Sequence, residues 1–225
     1  MTDAYASIAT NLERVQERIR NACAASGRDA SAVTLVAVSK KHPAEAVRAA
    51  YAAGQRVFGE NYVQELLEKA DALSDLSDIE WHLIGHLQRN KAKDVVAMSA
   101  IVETVDSERL LLALSERARA MGKRLPVMIQ VNVAGEAQKS GVSLADAEAL
   151  VVAARKYDAL LLTGLMTVPP NEDPEASRVH FAALRELGHR LGVAGLSMGM
   201  SADLEVAVAE GATHVRVGTS IFGSR

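Results

Sequence analysis

A lysine at the end of an apolar run offers the most direct chemistry in this chain. Lys40 follows Thr34-Leu35-Val36-Ala37-Val38-Ser39. An ammonium leaving water needs a partner or gives up its proton, and a neutral lysine amine attacks carbonyl carbon. Two later segments offer a complement. Ser197-Met198-Gly199-Met200-Ser201 runs into a helical pattern at Ala202-Asp203-Leu204, and Arg216-Val217-Gly218-Thr219 ends the last apolar run. The hydroxyls of Ser197, Ser201 and Thr219, close backbone approach at Gly199 and Gly218, and the planar fork of Arg216 suit phosphate oxygens.

Each segment also has a plainer reading. Lys40 can be a solvated loop residue before His42-Pro43, Ser201 an N-cap, and Gly199 only a turn. Asp203 counts against a phosphate there, because an acid in the first helical turn suits the helix dipole but repels an anion. Pairing with Arg216, or turning away, would resolve the conflict.

Positioning these residues requires a scaffold. Eight runs rich in Val, Ile and Leu read as strands: Thr34–Ser39, Arg56–Phe58, Trp81–Ile84, Ile101–Val105, Val127–Val133, Leu161–Met166, Gly195–Ser197 and His214–Val217. Between them lie helical patterns at Pro43–Ala53, Asn61–Ala72, Gln88–Met98, Glu108–Met121, Leu144–Tyr157, Pro174–Leu191 and Ala202–Glu210. An additional helix spans Ala4 to about Ser26, closed by Gly27. Eight strand–helix units predict a parallel (β/α)8 TIM-type barrel as a single domain over 1–225, with an open doubly wound sheet as the competing arrangement. In such a barrel chemistry sits at the C-terminal strand ends, the face of Lys40 and of both candidate phosphate loops. Lys40 shares strand parity with Val36 and Val38, which directs it inward if the valines fill the interior. Pro169-Pro170-Asn171-Glu172-Asp173-Pro174 is the most turn-like stretch, expected to loop over one barrel end.

Composition narrows the function. A net charge of −3 gives no basic field for nucleic acid, and 4% aromatics argues against a base-stacking surface. No apolar run is long enough to span a membrane, and the start Met1-Thr2-Asp3-Ala4 does not read as a signal peptide. The single cysteine, Cys23, excludes an intrachain disulfide and a cysteine-rich zinc site and fits a cytoplasmic protein. No metal site is expected.

A lysine and a phosphate cup across one barrel mouth suit a ligand with both an aldehyde and a phosphate, such as pyridoxal 5′-phosphate (PLP). The chain resembles the pyridoxal-phosphate homeostasis proteins, single-domain relatives of alanine racemase. The resemblance lies in Val38-Ser39-Lys40, Phe58-Gly59-Glu60-Asn61-Tyr62-Val63-Gln64-Glu65, Trp81-His82-Leu83-Ile84-Gly85-His86-Leu87-Gln88-Arg89-Asn90-Lys91, Gly164-Leu165-Met166-Thr167, Ser197 to Glu205 and Val215 to Thr219. These segments run in order from the first strand to the last.

The resemblance implies a PLP Schiff base on Lys40 and phosphate contacts from Ser197, Ser201, Arg216, Gly218 and Thr219, with Asn61 touching the cofactor edge. Met166 and Met198 can pack on the ring, although a methionine in an apolar run is commonly core. His82, inside a strand beside Trp81, reads as a core histidine. Lys139, after the fifth strand, is either a second amine for the aldehyde or a solvated loop lysine. Many relatives carry a second lysine just after the Schiff-base one; here Lys41 and His42 occupy that stretch.

The resemblance also implies the role: a PLP carrier that serves intracellular PLP homeostasis and delivers PLP to apo-enzymes, with no catalytic residues. Only Thr219 to Arg225 follow the last strand, which leaves no place for the second domain that racemases add, so a monomer without turnover is expected. A PLP-dependent racemase-like enzyme is the alternative. A Schiff-base aldolase acting on a sugar phosphate and a purely structural barrel stand further off.

Overall fold

In this computed structural model, which describes residues 5–136, 138–170 and 173–224, apolar runs and amphipathic segments alternate around a closed parallel sheet. The strands are β1 (Thr34–Val38), β2 (Val57–Glu60), β3 (Glu80–Leu83), β4 (Ile101–Val105), β5 (Leu125–Asn132), β6 (Val142–Ser143), β7 (Leu160–Met166), β8 (Gly195–Ser197) and β9 (His214–Val217). They pair in the order β4-β3-β2-β1-β9-β8-β7-β5, and β4 pairs with β5 to close the ring. The two-residue β6 adds to β5 outside it. All pairs are parallel, so closure leaves no edge in the ring and settles the choice against an open sheet.

The helices are α1 (Ala6–Ala25), α2 (Ala44–Ala52), α3 (Val63–Ala72), α4 (Ala92–Met98), α5 (Glu108–Ala120), α6 (Ala147–Ala154), α7 (Arg178–Leu191), α8 (Leu204–Ala209) and α9 (Thr219–Phe222). On α1 the buried Ile8, Leu12, Val15 and Ile19 form one stripe at helical spacing. That stripe packs beside α8 and α9, where Arg18 pairs with Glu205 at 2.7 Å and the Asn11 amide donates to Ile221 O at 3.1 Å. Among the described residues no helix is long and apolar enough to cross a membrane.

Several boundaries move in ways that matter for the site. β2 extends to Glu60, and α3 begins at Val63, so Asn61 lies in the connection and not in a helix. The helix expected from Gln88 splits into a 3-10 turn (Arg89–Lys91) and α4. The tail after β9 folds as α9. Of the turn-like stretch at 169–174, Asn171 and Glu172 lie outside the described residues.

Strand parity divides the barrel into two environments. Leu35 and Ala37 of β1, Val215 and Val217 of β9, and Val102 of β4 join the hydrophobic core between sheet and helices, as does Val105, which lies beyond a shift in the β4–β5 register that breaks the simple alternation. Val36, Val38, His82, Glu103, Met128, Ser197 and Arg216 are also buried but stand apart from that core. By alternation these face the barrel interior. Val36 and Val38 therefore lie on the inner parity, as expected of them, but much of their company is polar.

Candidate functional site

Lys40 occupies a tight turn at the C-terminal end of β1. The His42 N–H donates to Ser39 O at 3.0 Å, and Lys41 adopts a left-handed φ of 63°. Lys40 itself is half-buried. Register places its neighbours. Val38 pairs with Gly59 of β2, two residues before Asn61, and Ala37 pairs with Val217 of β9, one residue before Gly218. A side chain at Gly218 would come within 3.0 Å of Val38 O. The Lys40 turn, Asn61 and Gly218-Thr219 therefore share one rim.

The loop after β8 is organised differently from the sequence expectation. Gly199 has φ 92°, and a Cβ there would lie 2.4 Å from the Ala207 methyl, so close packing on α8 demands this glycine. Ser201 is not the N-cap: Asp203 stands at that position, and its Oδ1 accepts the Met200 N–H at 2.6 Å. The Asp203 conflict is resolved by this turn back onto the loop backbone. Ser201 is half-buried, with its carbonyl held by Arg18 Nη2 at 2.9 Å, and Thr219 is exposed at the start of α9.

Arg216 does not stand open as a fork for phosphate. Its guanidinium is buried; Nη1 donates to Ser197 Oγ at 2.7 Å and Nη2 to Thr167 O at 2.7 Å. Ser197 Oγ in turn donates to Glu103 Oε2 at 2.5 Å, and Glu103 Oε1 meets His82 Nδ1 at 2.5 Å. His82 Nε2 continues to Glu80 Oε1 at 3.1 Å. A polar chain thus crosses the barrel from β9 to β3. Burial alone would lower the His82 pKa, but its bonds to Glu103 and Glu80 outweigh burial and raise it to about 9. Burial alone would raise the Glu103 pKa, but His82, Arg216 and the Ser197 hydroxyl bring it down to about 2. Burial pulls the Arg216 pKa down, opposed by Glu103 and Asp203. His82 is buried with both ring nitrogens partnered, as expected of a satisfied histidine, but in the polar barrel interior and not in the hydrophobic core.

Met166 and Met198 are both buried; Met198 belongs to the hydrophobic core, while Met166 stands apart from it, opposite Gln130 in the β5–β7 register. Lys139 is committed to its own loop, with Nζ 2.9 Å from Pro169 O and 2.6 Å from Glu136 Oε1. These contacts hold Lys139 to its own loop.

Sequence reasoning missed Glu103, Gln130, Glu60 and Lys69. Glu60 and Lys69 form a buried ion pair at 2.5 Å between β2 and α3, directly behind the Lys40 turn. A signal existed: Glu103 interrupts the apolar run Ile101-Val102-Glu103-Thr104-Val105, and Lys69 lies three residues beyond buried Leu66 on α3. Two buried acceptors, Asn61 Oδ1 and Gln130 Oε1, have no hydrogen-bond partner among the described residues. Unpaired buried acceptors are costly and call for a donor. Gly218 packs against Val38 of β1, where a side chain would crowd the Val38 carbonyl, and so keeps β9 close to the Lys40 turn; the unpaired acceptors at the strand ends fit a small polar ligand.

Comparisons with known proteins bear on the ligand. The profile of the family described as alanine racemase, N-terminal domain, matches residues 7–225. A pyridoxal phosphate homeostasis protein of Pseudomonas aeruginosa is 48% identical over 222 residues, 97% of this chain and 96% of that protein. A structure of an unknown protein from Bifidobacterium adolescentis superposes with a TM-score of 0.94 at 36% identity, covering 99% of this chain and 97% of that one. PipY of Synechococcus elongatus, solved with PLP bound, superposes with a TM-score of 0.83 at 37% identity, covering 96% of this chain and 100% of that one.

Proposed function

The chain belongs to the pyridoxal phosphate homeostasis family, built on the alanine racemase N-terminal barrel, and on that premise we propose that it binds PLP at the Lys40 rim. In this reading it holds PLP reversibly as a Schiff base and hands it to apo-enzymes, with no turnover of its own. One observation supports the reading: closure of the barrel brings the Lys40 turn, Asn61 with its unpaired Oδ1, and Gly218-Thr219 onto the same rim. A relative with PLP bound has the same fold at 37% identity.

When bound, the group supplies an aldehyde carbon for an amine and a phosphate for the rim. Lys40 provides that amine from a turn fixed on β1. Gly218, Thr219 and Ser201 take the phosphate with backbone N–H and hydroxyl groups. Asn61 Oδ1 accepts from the ligand edge and thereby loses its unpaired state. Arg216 and Ser197 lie below the rim, where Arg216 carries positive charge and Ser197 links it to Glu103. Met166, buried at the end of β7, offers an apolar contact to the ring, whereas Met198 belongs to the hydrophobic core.

The experiment is to add PLP to purified protein, record the visible spectrum, reduce with borohydride and map the modified peptide. Label at Lys40, absent in Lys40→Ala, is the expected result. No imine band after PLP addition would overturn the reading. Recovery of activity by an added PLP-dependent apo-enzyme tests delivery. Turnover of alanine or serine enantiomers, lost in Lys40→Ala, would replace the carrier by a racemase-like enzyme. The proposal extends to a cytoplasmic monomer, which sedimentation of the purified chain and fractionation of cells test.

A further inference from the structure

Behind the Lys40 turn lies a cluster that the ligand reading does not use. Lys69 on α3 is buried, and its Nζ donates to Ser39 O at 2.8 Å, Glu60 Oε1 at 2.5 Å and Glu65 Oε2 at 3.4 Å. These three acceptors match the three donors of an ammonium. Ser39 Oγ donates to the same Glu60 oxygen at 2.6 Å. Glu65 Oε2 accepts the Lys41 N–H at 2.6 Å. The residue before Lys40 and the residue after it are thus bonded to one ion cluster.

We propose that Lys69, Glu60 and Glu65 are positioning residues for Lys40, clamping the peptide units on both sides of it so that its amine is presented to the ligand in one orientation. The proposal rests on Lys40 being the PLP-reactive amine.

Three features support a clamp over generic stabilisation. First, a buried ion pair is an inefficient way to gain stability, because an apolar pair of similar size commonly does as well. Second, Lys41 and Ser99 are the only non-glycine residues with positive φ among those described, and Ser99 ends α4, whereas Lys41 has no helix end to account for it. A left-handed lysine persists where its surroundings over-determine it, and here the Glu65 carboxylate and the Ser39–His42 turn bond do so. Third, Glu60 is fully buried and its Oε2 has no hydrogen-bond partner among the described residues, so its charge rests on Lys69 and the Ser39 hydroxyl, both at Oε1. Burial raises the Glu60 pKa against the pull of Lys69 and Ser39; at Glu65 the Lys41 N–H and Lys69 outweigh burial and lower it. Glu65 therefore remains an ionised acceptor for the Lys41 amide.

The test uses Glu65→Ala, Glu65→Gln and Lys69→Met with two readouts. Hydrogen exchange at the Lys41 amide is followed in cofactor-free protein, and the rate of Schiff-base formation at Lys40 is followed after PLP addition. In Glu65→Ala we expect Lys41 exchange to accelerate and the rate at Lys40 to fall, each by about fivefold, the scale of one lost hydrogen bond. Glu65→Gln keeps an oxygen for the Lys41 N–H and should restore both, which a merely structural role for the charge would not do. Lys69→Met should move both readouts in the same direction; if it does not fold, the Glu65 pair decides. Unchanged Lys40 kinetics in Glu65→Ala, or equal loss in Glu65→Gln and Glu65→Ala, overturns the clamp. A wild type that forms no Schiff base fails the PLP reading instead, and Lys41 exchange still reports on the grip itself.

Discussion

Arg216 Nη1 donates to the Ser197 hydroxyl at 2.7 Å, and that hydroxyl donates to Glu103 Oε2 at 2.5 Å. One small side chain on β8 thus joins a buried cation on β9 to a buried anion on β4. Neither charge meets the other directly, so the hydroxyl completes the hydrogen bonding of both. Low dielectric makes each of these bonds stronger and each missing bond more costly.

Ser197→Ala should therefore destabilise the fold by about 1–3 kcal/mol, the cost of leaving a buried polar group unpaired. Urea unfolding at neutral pH measures it, and a midpoint equal to wild type would show that the bridge is dispensable. Arg216→Ala should cost more, about 3 kcal/mol, because Glu103 then loses a compensating charge, and it should also weaken PLP retention. Unchanged retention would remove Arg216 from the site.

His82 and Glu103 give the protein a stability window in pH. The His82 pKa rises from 6.5 to about 9 on folding, so its contribution is complete below 6.5 and is lost as pH climbs through 9. The Glu103 pKa falls from 4.5 to about 2, so its contribution is complete above 4.5 and is lost as pH drops through 2. Both operate fully between pH 4.5 and 6.5. Melting temperature measured upward from pH 6.5 should fall by several degrees in wild type by about 9 and less in His82→Gln. Parallel curves for the two proteins would exclude the pair as the source.

Asn61→Ala should separate ligand binding from folding. Asn61 Oδ1 is buried without a partner, so removing it relieves a penalty and leaves stability unchanged or slightly higher. PLP affinity should fall by about fivefold, the equivalent of one hydrogen bond. A titration showing undiminished affinity would take Asn61 out of the site.

Gly218→Val tests the close approach of β9 to β1. The first added carbon would sit 3.0 Å from Val38 O, so the side chain would press on the strand that leads into the Lys40 turn. Retention of PLP against dialysis should drop by at least about tenfold, or about 1.4 kcal/mol, while circular dichroism still shows a folded barrel. Normal retention in a folded variant would place the phosphate elsewhere.

The (β/α)8 class and the rim of Lys40 were legible in the sequence. Both depend on local signals: eight apolar runs at regular spacing, and a lysine directly after one of them. Asn61, Gly218 and Thr219 were legible for the same reason, since they directly follow strands. Barrel closure was not local: it rests on pairing between β4 and β5 and between β1 and β9, the latter spanning nearly the whole chain. The interior network was also hidden, because Glu103 acquires partners only when β3, β8 and β9 surround it. The same applies to Lys69, which in one dimension is an ordinary helical lysine and in the fold grips the turn that carries Lys40. Strand and helix periods arise from steric rules acting over a few residues, so the sequence by itself determined the alternation of strands and helices and which residues directly follow each strand. Buried charges are tolerated only where distant segments supply their partners, so tertiary structure alone decided that Arg216 turns into the barrel, that Ser197 bridges it to Glu103, and that Lys40 stands on an ion-paired base.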